Sequence, residues 1–159
     1  MKKIVFILAV ITSFQASAQL TLESGRYLAQ KVVRLQGQDA ELFQKAKAWV
    51  AANTNPTQDK TFFDEDANKI IVNAMIEHDL SGIPSVANYT LVLEFRNNMY
   101  RETFKDFTYK TGNKVYLFED KKLKSKSKIV KDISLEIETF SENLQSSMYS
   151  ELMAKKTQD

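Results

Sequence analysis

The sequence predicts an α+β domain, a two-layer sandwich built on one antiparallel sheet of about five to six strands. Three observations lead there. Apolar residues recur with a period of two in several stretches between positions 60 and 120, and with a period of three to four at 42–50 and again from 133. Breakers are scarce, with four glycines and two prolines in 159 residues, so the connections are short. The resulting order, β-α-β-β-β-β-β-α, suits helices packed on an antiparallel sheet.

The elements follow in order. "AQKVVRLQG" (29–37) predicts a strand with Val32, Val33 and Leu35 apolar, closed by Gly37. Asp39 stands where a helix N-cap is expected, and Glu41 in the first turn favours the helix dipole. Leu42, Phe43, Ala46, Trp49 and Val50 then form one helical face, which Asn53 and Asn55-Pro56 terminate. Trp49, the only tryptophan, lies within that face, so it is expected in the core between helix and sheet.

"KTFFDEDANKIIVNAMIEHDL" (60–80) reads as two strands joined by a polar turn at Asp64–Asn68, with Ile70, Val72, Ala74 and Ile76 on one face. "SGIPSVA" (81–87) is expected to be a loop because Gly82 and Pro84 break it. A two-residue turn at Asn97-Asn98 pairs Phe95 with Tyr100, Glu94 with Arg101, Leu93 with Glu102 and Leu91 with Phe104. One face then gathers Leu91, Phe95, Tyr100 and Phe104, and the other gathers the opposed charges. A slip of one residue destroys both patterns. Glu102 is the awkward residue on the apolar face and is expected near a sheet edge. "NKVYLFED" (113–120) adds a strand, and Ile133, Ile137, Phe140, Leu144, Met148 and Leu152 mark a long helix from about 132 to 155.

The first eighteen residues stand apart. "MKK", the apolar "IVFILAVI" and Ala16-Ser17-Ala18 have the layout of a secretory signal peptide cleaved after Ala18. The expected organisation is a signal peptide at 1–18, a linker at 19–27, one domain at 28–155 and a tail at 156–159. No transmembrane anchor is expected after cleavage, and a periplasmic or secreted location follows. Cleavage removes Lys2 and Lys3, leaving 22 − 2 = 20 basic residues against 20 acidic ones. A neutral chain has no overall attraction to nucleic acid. With no cysteine, disulfides, thiolate metal sites, a Cys nucleophile and a lipidated N-terminal Cys are all excluded.

Several of these stretches together resemble a known family. The "KVV" strand, "ELFQKAKAWVAAN", "DEDANKIIVNAMI" and "NYTLVLEFRNNMYRETFKDFTY" are similar to exported bacterial domains of unknown function described as having a TBP-like fold. The resemblance covers about residues 28–110. Trp49 and the run from Tyr100 to Tyr109 are its most specific parts. It implies a curved sheet with two helices on one face, and it supplies no catalytic set. Fold alone does not imply DNA binding.

Candidate chemistry is thin. His78 is the only histidine, and no metal-ligand spacing accompanies it. A base role toward Ser81 or Ser85 is the hydrolase reading; no Gly-x-Ser-x-Gly elbow supports it, and a strand-end histidine is the plain alternative. Asp64-Glu65-Asp66-Ala67-Asn68 opens like a calcium loop. Lys69 stands where glycine belongs and Met75 where the bidentate glutamate belongs, so a hairpin turn is expected. Glu136 and Glu138 diverge on the last helix, and no phosphate-binding glycine loop exists.

"KKLKSKSKIVK" (121–131) is the one unusual composition. Read as extended, it aligns Lys122, Lys124, Lys126 and Lys128 on one face. That stripe suits anionic envelope polymers or lipid headgroups, or it guards a sheet edge. The expected function is an exported, non-catalytic domain that binds a protein partner or envelope component, without cofactor, metal or nucleic acid. The alternative is a hydrolase-type enzyme using the region around His78.

Overall fold

The fold is described from a computed structural model over residues 18–35, 37–54 and 60–156, with side chains through 149. The expected signal peptide, apart from Ala18, and the Asn55-Pro56 stop lie outside these residues. Seven strands and two helices follow one another: β1 (Thr21–Glu23), β2 (Arg26–Arg34), α1 (Asp39–Asn53), β3 (Lys60–Asp64), β4 (Lys69–Leu80), β5 (Ile83–Phe95), β6 (Met99–Thr111), β7 (Lys114–Leu117) and α2 (Lys126–Lys156). The strands form one antiparallel sheet in the order β1-β2-β6-β5-β4-β3, and β7 also pairs with β6.

Both helices cover the same face, as side-chain parity shows. Ile70, Val72, Leu91, Leu93, Phe95, Tyr100 and Phe104 on the strands are buried there, together with Leu42, Phe43, Ala46 and Val50 of α1 and Ile129, Ile133, Ile137 and Leu144 of α2. The rings of Phe43 and Phe95 meet edge to face at 6.2 Å between centroids. Among the described residues, no helix covers the opposite sheet face.

The β5–β6 hairpin has the expected register, from Phe95↔Tyr100 to Leu91↔Phe104. Asn97 and Asn98 both adopt positive φ, 56° and 58°, which Asn tolerates and a right-twisted hairpin requires. The polar turn after Asp64 is likewise a hairpin turn; Asp64 Oδ1 accepts the Ala67 N–H at 3.0 Å.

Six expectations need correction. Residues 81–87 are not a loop: β5 begins at Ile83, and Ser81-Gly82 alone makes the turn, at φ of 57° and 82°. Pro84 is tolerated because β6 pairing starts only at Ser85, so no neighbour on that side needs its missing N–H. The region expected as a linker contains β1, and Leu20 is buried in the core. Asp39 is not the helix cap. Gln38 holds that position without a side-chain bond, and the Asp39 carboxylate reaches the Asn97-Asn98 turn instead. Trp49 is half-buried rather than fully enclosed: it packs against the core and lies edge to face with Phe140 of α2 at 5.0 Å.

Glu102 is fully buried at the centre of the sheet, since β6 lies between β2 and β5. Lys31 faces it across the β2–β6 pair, and Ser141 of α2 accepts from Lys31 Nζ at 3.2 Å. Finally, α2 begins at Lys126, six residues before the expected start. The Ser125 carbonyl accepts from the N–H groups of Lys128 and Ile129 and opens the helix early.

Candidate functional site

The early start of α2 decides the fate of the lysine stripe. Lys122 and Lys124 lie in turns, while Lys126 and Lys128 lie in the first turn of a helix. Helical rise and rotation replace the two-residue alternation, so the four ammonium groups do not share one face. Lys122, Lys124 and Lys128 remain exposed; Lys126 Nζ donates to the Glu119 carbonyl at 3.0 Å. Leu123 and Ile129 are buried in the core.

His78 sits near the end of β4, and its parity turns it toward the helix layer. Its ring lies 2.7 Å from the Tyr109 hydroxyl through Nδ1 and 3.1 Å from Asp132 Oδ2 through Nε2. A neutral ring satisfies both partners when Nε2–H donates to Asp132 and the Tyr109 O–H donates to Nδ1. The imidazole side chain is 11% exposed. Burial, then the charges of Asp132 and Asp79, hold the Tyr109 hydroxyl above its usual range, with a contribution from Ser85 opposing them.

The two candidate serines do not complete this group. Ser85 is the cross-strand partner of His78, but its Oγ is buried and donates to the Ile83 carbonyl at 3.1 Å. Ser81 lies exposed in the hairpin turn. Both imidazole nitrogens are engaged elsewhere, so the hydrolase constellation is not assembled. The arrangement ties β4, β6 and α2 together. An open cleft of about 570 Å³ lies at this end, lined in part by Glu77, His78, Asp79 and Lys110. Among the described residues no group of three or more His, Asp and Glu side chains could hold a metal ion.

Two features were not found from the sequence. One is the interior group of Glu102, Lys31, Tyr100 and Ser141. The Glu102 oxygens and the Tyr100 hydroxyl are buried without a well-formed hydrogen bond. Burial raises the Glu102 carboxyl above the usual range, against the favourable influence of Ser141, Lys31 and Tyr100. The other is the helix-free sheet face. Phe62, Ile71, Val92 and Thr103 stand side by side across β3, β4, β5 and β6. Val32, Val115 and Leu117 share the same face. The signal for this face lay in the unused halves of the alternating strands.

Comparison with known proteins agrees with this architecture. Residues 30–110 match the family described as a domain of unknown function (DUF4468) with TBP-like fold, and the chain belongs to that family. A TBP-like protein from Parabacteroides distasonis shares the fold with a TM-score of 0.73 at 14% identity, over 82% of this chain and 97% of that one. A DUF4468 family protein from Bacteroides ovatus aligns with a TM-score of 0.59 at 13% identity, over 86% and 91% of the two chains. No curated protein matches the sequence.

Proposed function

We propose that this chain is an exported, non-catalytic module that binds a protein partner on the helix-free face of its sheet. One observation carries the reading. That face exposes Phe62, Val32, Val115 and Leu117 at 60%, 54%, 63% and 59%, on a sheet whose other face packs the core beneath the two helices. Apolar side chains gathered on one exposed surface favour association. On the same face Glu94 bridges Lys69 and Arg101, at 3.8 Å and 2.5 Å. A face of mixed sign offers a nucleic-acid backbone little attraction. Export rests on the first eighteen residues, and among the described residues no helix is long and apolar enough to cross a membrane.

The test places a photoreactive side chain at position 62, 117 or, as a control on the helix side, 146. Crosslinks from 62 and 117 to one protein, absent from 146, are expected in native cells. The double change Phe62→Asp and Leu117→Asp should abolish that complex without lowering Tm by more than a few degrees. Equal crosslinking from all three positions would remove the sheet face from consideration.

A second reading, contact with an anionic envelope surface, is favoured by the exposure of Lys122, Lys124 and Lys128 beside a helix start that has no acidic residue in its first turn.

A further inference from the structure

The two helices leave part of their own sheet face open. Between the C-terminal end of α1 and the middle of α2 lies a groove of about 280 Å³. Its floor is Val72, Ala74 and Leu91 of the sheet, and Phe140 of α2 forms a wall. The apolar floor continues the core, so it is rigid and shaped before any ligand arrives.

The rim has one electrical sign. Glu136 of α2 stands there exposed, one helical turn before Phe140. The end of α1 stands opposite, where the macrodipole is negative, and no basic residue occupies its last turn. Asn53 closes that end. Its Nδ2 donates to the Trp49 carbonyl at 2.8 Å, which turns the amide oxygen to the acceptor role on the free side. Among the described residues, none of the lining side chains is Lys, Arg or His. A carboxylate, a helix C-terminus and an oriented amide oxygen thus surround an apolar floor, with no countercharge among them.

We infer that this groove binds a small organic cation: an ammonium or guanidinium group on an apolar body about the size of one large side chain. The cationic head would be held by Glu136 and the Asn53 oxygen, and the body would lie against Ala74 and Phe140. The volume is below the roughly 300–1,000 Å³ of drug-sized sites, which sets the ligand's size. This site is independent of the sheet face, because it lies on the opposite side of the sheet.

Phenethylammonium is a suitable probe, with phenylacetate and phenylethanol as anionic and neutral controls of the same shape. Titration into the protein, followed by amide NMR, should give saturable shifts at Asn53, Ala74, Glu136 and Phe140. Phenylacetate should give none, and phenylethanol should bind more weakly. Glu136 is exposed, so Glu136→Gln should fold with unchanged Tm. It should weaken phenethylammonium about tenfold, the scale of one lost charge-assisted contact, and Glu136→Lys should abolish binding. Equal binding of phenylacetate, an unchanged affinity in Glu136→Gln, shifts confined to other residues, or no saturation by about 10 mM would each overturn the inference.

Discussion

The carboxylate of Asp39 holds the backbone N–H of Asn98, 3.0 Å from Oδ1, while its other oxygen takes the N–H of Asn97 at 3.1 Å. The first residue of α1 therefore fixes a turn nearly sixty positions later. Asp39→Ala should cost about 1–2 kcal/mol, since both bonds are charge-assisted but partly open to water. Urea unfolding measures the loss. Hydrogen exchange separates it from a capping role: the amides of Asn97 and Asn98 should exchange faster, while those of Glu41 and Leu42 should not change.

Glu102 predicts a dependence on pH whose sign is fixed. Its carboxyl is raised in the folded protein, first by burial, so the native state holds the proton more tightly than the unfolded chain does. Native stability is accordingly lost as pH rises from the ordinary glutamate value of about 4.3 through the raised one. Glu102→Gln keeps the shape and cannot ionise. It should stabilise the protein at pH 7 by on the order of 1–2 kcal/mol, and the gain should vanish below about pH 4. Denaturant midpoints across that range provide the check; a variant less stable than the parent at pH 7 would mean that Lys31 requires the charge.

Trp49 is half-buried against the core, with its ring edge to face on Phe140. Trp49→Ala should therefore cost about 2 kcal/mol, less than the roughly 3–5 kcal/mol of a fully buried ring. Equilibrium unfolding followed by circular dichroism gives the value, because the substitution removes the only tryptophan fluorophore.

The lysine cluster is tested by replacing Lys122, Lys124, Lys126 and Lys128 with Gln. The fold should survive, although the Lys126 bond to the Glu119 carbonyl is lost. If the cluster meets an anionic envelope surface, the parent should co-sediment with anionic vesicles at low salt and release as the Debye length falls to about 8 Å. The variant should lose most of that binding, at about 1 kcal/mol per lysine. Equal sedimentation of the two would end this reading.

The sheet was legible where two patterns constrained each other. At Asn97-Asn98, apolar residues on one face and opposed charges on the other allowed a single register, and the structure has it. It was illegible where one residue served two purposes. Gly82 and Pro84 read as breakers, yet one completes a tight turn and the other is the second residue of a strand, beyond the reach of its neighbour β6. Lys31 hid the inward face of β2, because Val32 beside it looks like the core residue while standing 54% exposed. The early start of α2 had a visible cue in the four-residue step from Ile129 to Ile133, masked by the alternating lysines. Of the candidate chemistry, the sequence pointed to His78 but not to Tyr109 and Asp132, which lie 31 and 54 positions away.

The pairing of β2 with β6 also sets an order in time. Val33 meets Tyr100 and Ala29 meets Phe104, so the second strand of the chain must wait for residues made much later. The β4–β5 and β5–β6 hairpins close over short loops and can form on the scale of microseconds. The long-range pair carries the larger loop-closure cost and belongs late on the pathway. Until residues 99–104 emerge, the β1–β2 hairpin has no partner in the rest of the sheet. A chain that remains open at its leading end for this long is well suited to being threaded through a narrow channel before it folds.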